Sequence, residues 1–289
     1  MQKFSFHTHT IGFDGRNSEE DMVRRAEELG WDKIGFSNHL MVHERIEEAP
    51  MFQYAKKGGY SGIYSSSFDE ALVKFEAHYN RIDELQDRTN VKILKGMEVD
   101  FFADKKWQKG FEEIVDYLKP DYLIGSAHFV EVDGVLYNSH DLKVASSIKQ
   151  QQYLTRYWQN VRATAQSGYF TFLAHLDLMK KVGLGQEDSW IEEEQKSIDV
   201  IRDVGVMVEL NTSYFKKGNE PYPSPRIMKM LADANIQVLL SDDAHAASQL
   251  GNNFDKAYNM AKECGIRKFY GEKEDEVNLI LQFKKEQNR

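Results

Sequence analysis

Residues Phe4-Ser5-Phe6-His7-Thr8-His9 place two imidazoles two positions apart. Read as a β-strand, the stretch sends Phe4 and Phe6 to one face and Ser5, His7 and His9 to the other. Two neutral imidazoles at that spacing can converge on one metal ion. A lone pair of this kind is as often two ordinary histidines. Here the pattern recurs: His39, Glu98, His128, His175, then Asp243 and His245 each fall where an apolar run ends. Six of the nine histidines stand at such ends, and the other three (His43, His78 and His140) read as solvent-facing or lid residues. Two positions before most of these groups lie Ser5, Ser37, Gly96, Ser126 and Ser241, with Leu173 the exception. The outward neighbours Phe6, Ile34, Phe36, Met97 and Leu240 are apolar, so the interior beside the ligands is small and polar. So many imidazoles and carboxylates exceed what one four-coordinate zinc needs. Two or three divalent ions sharing a bridging carboxylate, with Glu98 the natural bridge, is the economical reading. Mixed nitrogen and oxygen donors suit zinc, iron or manganese.

The elements that would carry these groups alternate. Expected strands are Phe4 to His9, Lys33 to His39, Val91 to Asp100, Asp121 to Phe129, Tyr169 to His175, Val206 to Asn211 and Gln237 to Ser241. Helices are expected from the Ser18 cap to Gly30, from the Ser67/Glu70 capping box through Leu85, and up to Leu118. Further helices run over 145–167, 189–204, from Ser224-Pro225 onward, over 254–264 and over 272–286. Long connections at about 40–66 and 130–144 read as lids or binding loops, the first with a flexible Lys56-to-Gly62 stretch. Seven β-then-α units without a linker argue for a single α/β domain over 1–289, a distorted seven-stranded TIM-like barrel. No GxGxxG follows the first strand, which argues against an open Rossmann sheet. In such a barrel, functional groups gather at the C-terminal ends of the strands.

Composition sets outer limits. A chain of 289 residues with 41% hydrophobic and 12% aromatic residues can bury a sizeable core. A net charge of −9 disfavours nucleic acid as the main partner, since phosphate neutralisation needs a basic surface. It leaves room for a small phosphorylated substrate and fits either a monomer or a homodimer. One cysteine, Cys264, excludes both an internal disulfide and a thiolate zinc site. The start of the sequence lacks a secretory h-region and no window is apolar enough to span a membrane, so the cytoplasm is the expected compartment.

Taken in order, His7-Thr-His9, Ser37-Asn-His39, Gly96-Met-Glu98, Ser126-Ala-His128, Ala174-His175 and Asp243-Ala-His245 resemble the successive motifs of the PHP (polymerase and histidinol phosphatase) superfamily. The likeness covers nearly the whole chain. Ala174 to Lys181, Val208 to Ser213 and Tyr222 to Pro225 resemble the monofunctional histidinol-phosphate phosphatase branch. The resemblance implies a distorted (β/α)7 barrel with a trinuclear centre. Carried over by position, it implies His7, His9, Glu98 and Asp243 around one ion. Glu98, His128 and His175 would then hold a second, and Asp14, His39 and His245 a third. Many relatives have a histidine where Asp14 stands here. The D-x-H spacing favours Asp243 over Asp242 as ligand.

The chemistry expected of such a centre is metal-assisted hydrolysis of a phosphate ester, with Asp243 and Glu98 as catalytic residues and a water shared between two ions as nucleophile. By resemblance the substrate is L-histidinol phosphate, a step of histidine synthesis. Alternatives are another PHP hydrolase, acting on nucleotides, oligonucleotides or phosphotyrosine, and a non-catalytic metal-binding module. Arg156, Lys180 and Lys181 are candidate phosphate contacts, with Lys216, Lys217 and Arg226 as further cations. Asn211 is a candidate hydrogen-bond partner for substrate.

Overall fold

A computed structural model describes residues 2–59 and 61–271. The helix expected over 272–286 and the loop aromatic Tyr60 lie outside them. Helix formation follows local signals. Ser18 and Asp21 cap α1 (Glu19–Glu28) reciprocally, and Met22, Val23 and Ala26 form its buried face. Losing such a cap costs about 1 kcal/mol. Ser67 caps α3 (Phe68–Gln86), which buries Phe75, Tyr79, Ile82 and Leu85. The other long helices are α4 (Lys105–Leu118), α5 (Ser147–Gln166), α6 (Ile191–Val204), α7 (Pro225–Asp233) and α8 (Phe254–Glu263). Among the described residues no helix is long and apolar enough to cross a membrane.

The strands between them are parallel. β1 (Lys33–Phe36) and β2 (His39–Val42) both pair with β4 (Lys92–Asp100), as one strand interrupted at Ser37-Asn38. From β4 the ladder continues through β5 (Tyr122–Ser126), β8 (Phe172–Leu173), β9 (Met207–Asn211) and β10 (Val238–Ser241). β3 (Tyr64–Ser65) extends β2 on the outer side. The ladder stays open between β1 and β10, and the N-terminal segment lies in that gap. Gly35 N donates to Ser5 O (2.8 Å) and Ser37 N to Thr8 O (2.9 Å) on one side. On the other, His9 N donates to Ala244 O (2.9 Å) and Ala244 N to His7 O (3.2 Å). The architecture is a mostly parallel, unclosed α/β sheet of TIM-like type, as the strand and helix succession implies.

Three expectations need correction. The first stretch is not a laddered strand; only Thr8 forms a bridge, to Ala244. Phe4 and Phe6 share a face as expected and Ser5 turns the other way to Asp242, but the shared face is the barrel interior, with Leu94, Tyr122, Phe172 and Leu239, not the outside. Alternation groups side chains by face without fixing which face turns inward. The Tyr122 ring fills the interior beneath the site, so close to Gly35 and Gly96 that a Cβ at either would collide. Second, 40–66 is not loop throughout. It holds the end of β2, helix α2 (Pro50–Gly58) and β3; Lys56 to Gly58 are helical and Gly59 caps them at φ 79°. Likewise 130–144 is mostly an antiparallel hairpin of β6 (Phe129–Val132) and β7 (Val135–Asn138), then a short 3-10 turn. Third, His78 is wholly buried rather than solvent-facing.

Candidate metal centre

Strand geometry delivers the site. Gly35, Ser37 and His39 share a face, as do Gly96 and Glu98, or Glu209 and Asn211, and these faces meet at the C-terminal rim of the barrel. Glu98 stands at the hub, 1% exposed. Its Oε2 lies 3.2 Å from His7 Nε2, 3.6 Å from His9 Nε2 and 2.8 Å from His39 Nδ1. Its Oε1 lies 3.0 Å from His175 Nε2 and 3.4 Å from His128 Nε2, and accepts from Ser126 Oγ at 2.6 Å. One carboxylate thus faces five imidazoles, two or three per oxygen.

Two more carboxylates complete the ring. Asp243 Oδ1 is 3.1 Å from His9 Nε2, 3.6 Å from His7 Nε2 and 3.5 Å from His245 Nδ1. Asp14 reaches His245 Nε2 at 3.0 Å, His39 Nε2 at 3.1 Å and His9 Nδ1 at 3.5 Å. Asp243 adopts a left-handed backbone (φ 47°), a conformation costing a non-glycine residue roughly 1 kcal/mol. Neighbouring Asp242 instead accepts from Ser5 Oγ and Gly251 N, outside the cluster.

Electrostatics hold the carboxylates of this set ionised, as a cation requires; burial would lower the His7, His39 and His245 imidazoles, but those same carboxylates raise all three. Burial alone would raise the Glu98 carboxyl, but His7, His39 and His128 bring it well below the ordinary carboxylate range. Burial works against Asp243 and Asp14 as well, and their neighbouring imidazoles overcome it in the same direction. The His9 imidazole is pushed down to about 4 by burial and by His245 and His39, and burial lowers His128. Three groups bring donor atoms within 4.8 Å of one another: His9, Asp14, His39 and His245; His7, His9 and Asp243; and His39, Glu98 and His128. They divide the residues differently from the resemblance, since His9 joins the Asp14 group and His39 joins Glu98. Both ring nitrogens of His9, with His7 Nε2, His39 Nδ1, Asp14 Oδ1 and Glu98 Oε2, are buried without a hydrogen-bond partner. Orphaned polar atoms of this kind are costly unless something satisfies them. Imidazole and carboxylate together fit divalent cations.

Outer partners orient several rings. Glu209, fully buried, accepts from His7 Nδ1 (2.8 Å), His175 N (2.9 Å), Ser241 Oγ (2.6 Å) and Asn211 Nδ2 (2.8 Å). Asp100 takes His128 N (2.6 Å) and lies 3.2 Å from His128 Nδ1. Sequence reasoning missed both roles. The signal was available in the spacing, because Glu209 precedes Asn211 by two and Asp100 follows Glu98 by two.

Over the cluster lies a cavity of about 360 Å³. Met41, Met51, Ile63 and Tyr64 form an apolar wall; Lys181, Lys216, Lys217 and His140 form a basic one. The Lys181 ammonium is lowered to about 8 by burial and by Lys217, while Asp243, Glu98 and Asp100 pull it upward. Burial and Lys181, Lys143 and Lys217 push His140 down to about 4. The other candidate substrate contacts are placed elsewhere. Arg156 is exposed on α5 and donates to Gln159 Oε1. Lys180 is buried and committed to Asp177, Glu220 and the Pro221 carbonyl. Arg226 binds Glu194. Asn211 is buried, with its amide spent on Glu209, Asp243 and Ser213.

The PHP domain family model matches residues 5–213. A Deinococcus radiodurans protein named probable histidinol-phosphatase is 28% identical over 201 residues, covering 68% of this chain and 74% of that one. A Schizosaccharomyces pombe protein of the same name is 24% identical over 292 residues, covering 91% and 87%. Among solved structures, the histidinol phosphate phosphatase of Lactococcus lactis, complexed with zinc, L-histidinol and phosphate, has a TM-score of 0.64 at 16% identity, covering 92% of this chain and 95% of that one. At that identity the likeness shows the fold.

Proposed function

The chain belongs to the PHP domain family, and from that premise we propose that it is a metal-dependent phosphomonoesterase that converts L-histidinol phosphate to L-histidinol and inorganic phosphate in histidine biosynthesis. The observation that carries the reading is Glu98, one carboxylate facing five imidazoles beneath a lysine-walled cavity. The names of the relatives supply the substrate. We assign three cation positions: His7, His9, Glu98 and Asp243; Glu98, His128 and His175; and Asp14, His39 and His245. Zinc, iron or manganese when bound would supply Lewis acidity, lowering the pKa of water and neutralising phosphoryl charge.

The chain's own groups do the rest. Lys181, at the bottom of the basic wall, meets phosphoryl oxygens with a charge-assisted hydrogen bond, and Lys216 and Lys217 draw the anion in. Met41, Met51, Ile63 and Tyr64 take the apolar body of the leaving group and exclude water. Asp243, held ionised against the effect of burial by His7, His9 and His245, ligates or takes up the proton that the attacking water loses. The bond that breaks joins phosphorus to the ester oxygen, the attacking water oxygen replaces it, and the proton this water gives up is returned, through Asp243 or solvent, to the departing alkoxide. No covalent phosphoenzyme is needed.

One observation favours a second reading. Among the described lining residues the only carboxylates are Asp14 and Asp243, both within the metal groups, so no other acid meets a substrate ammonium. A phosphate ester with a neutral or anionic leaving group would suit the lysine wall equally well. Phosphate release from L-histidinol phosphate, a nucleoside monophosphate and a phosphotyrosine peptide, with metal-loaded protein, separates the two. A kcat/KM for histidinol phosphate well above the others, lost on chelation, supports the first. A preference for either of the others overturns it.

A further inference from the structure

Behind the ligands runs a chain of buried polar contacts that the hydrolysis itself does not use. His78 on α3 lies 2.7 Å (Nδ1) from Glu19 Oε1 and 3.0 Å (Nε2) from Asn38 Nδ2, with none of its surface exposed. Glu19 also accepts from Arg81 Nε (3.1 Å) and Nη2 (2.9 Å). Asn38 accepts from Thr10 N on its Oδ1 (2.8 Å) and donates to Thr10 Oγ1 (3.0 Å). The backbone oxygen of Asn38 in turn accepts from Glu98 N (3.1 Å), sharing that donor with the backbone oxygen of Ser37 (3.2 Å).

The roles in this chain follow from what each atom can do. A backbone N–H only donates, so the Asn38 atom facing Thr10 N is the oxygen, and the amide nitrogen faces His78. An amide nitrogen only donates, so His78 Nε2 accepts and its proton sits on Nδ1, donated to Glu19. Every polar atom of the Asn38 side chain is satisfied in one orientation alone. Asn38 lies beside His39, binds the residue after His9, and its backbone oxygen shares the amide of Glu98. It therefore joins three of the segments that carry the candidate ligands, at the Ser37-Asn38 break between β1 and β2.

We propose that His78, locked in one tautomer by Glu19, is a positioning residue of the metal centre: it fixes Asn38, and through it the spacing of His9, His39 and Glu98. The proposal rests on the metal-centre part of the proposed function and is independent of the substrate. The simpler alternative is a polar contact that only docks α1 on α3.

Zinc affinity by competition with a chromophoric chelator, with metal content by mass spectrometry and thermal midpoints, separates the two. His78→Leu is expected to lose ~10- to 100-fold in affinity, the usual range for partners that orient ligands. His78→Gln, which keeps a donor and an acceptor, is expected to recover most of that loss. Ile82→Val, on the same helix face, should lower the midpoint without changing affinity. Wild-type affinity in His78→Leu overturns the positioning role and leaves the metal centre standing. If wild-type protein binds no zinc, the centre and this proposal both fall. Should His78→Leu not fold, Glu19→Leu, which removes the acceptor, serves in its place: a several-fold loss supports the proposal, and unchanged affinity overturns it.

Discussion

The two sides of the centre are supported differently. On the inner side, His7 is 0% exposed and its far nitrogen is gripped by Glu209, itself tied to His175 N, Ser241 and Asn211. His128 has Asp100 in the same role. On the outer side, the His245 and Asp14 side chains are 30% and 20% exposed, and the far nitrogen of His245 meets only Asp243 among the described residues, its backbone oxygen at 3.0 Å and Oδ1 at 3.5 Å. An imidazole backed by a carboxylate is more basic and cannot rotate away. For the cation positions proposed above, the contrast predicts firmer holding within and easier exchange at the mouth.

The largest expected effect breaks the comparison outright. Glu98→Gln removes the hub from both sides, so turnover should fall by more than the ~100-fold seen for outer partners, with metal lost throughout. An inner ion still present at full occupancy would show that Glu98 is no hub. Glu209→Gln tests the inner side alone: metal affinity or activity should drop ~10- to 100-fold, read by titration with a chelator. Asp14→Asn addresses the mouth. About a tenfold weakening confined to the most easily stripped ion is expected, and a uniform loss across all ions would erase the distinction between the sides. Lys181→Met should raise KM about tenfold while kcat stays close to wild type, the pattern of a group that binds ground and transition states alike.

The last effect is confined to acid. Burial would raise the Glu19 carboxyl, but hydrogen bonds from His78 and Arg81 hold it at about 2, against an ordinary 4.5. A carboxyl lowered on folding stabilises above its unfolded pKa and loses that contribution as pH falls through the folded one. Wild-type stability should therefore fall between pH 4.5 and 2 more than that of Glu19→Gln, by at most roughly 3 kcal/mol, read as a steeper drop in melting temperature. Parallel melting curves would count against it.

Much of this arrangement is legible in the residues themselves. His39, Glu98 and Asp243 could be placed at strand ends because a parallel strand buried on both faces leaves few other reasons for a polar group after an apolar run. The order of strands and helices was readable for the same reason. Parity paired Phe4 with Phe6 correctly but put their face outside, because alternation does not say which face turns inward. His78 was misread although helical spacing from Phe75 and Ile82 already put it on the buried stripe. What made its burial tolerable is Glu19, 59 residues away, which no local pattern reveals. Lys180 and Lys181 are adjacent in sequence and opposite in fate; a single 3-10 turn, Leu178–Val182, turns one into the core and the other toward the cavity. Arg156 misled because it sits one residue off the face of α5 that carries Tyr153 and Tyr157.

The segment that lies between β1 and β10 ties the timing of assembly to synthesis. His9 and Asp243 meet at 3.1 Å, yet the ribosome makes one more than two hundred residues before the other. Until Asp243 and His245 emerge, His7 and His9 have no partner segment on one side and the cluster lacks its third carboxylate. Closing so long a loop is slow because its entropy is spent before any contact rewards it. The nascent chain should thus carry its histidines unclustered through most of translation, and a polypeptide halted at Leu240 should bind cations far more weakly than the finished protein.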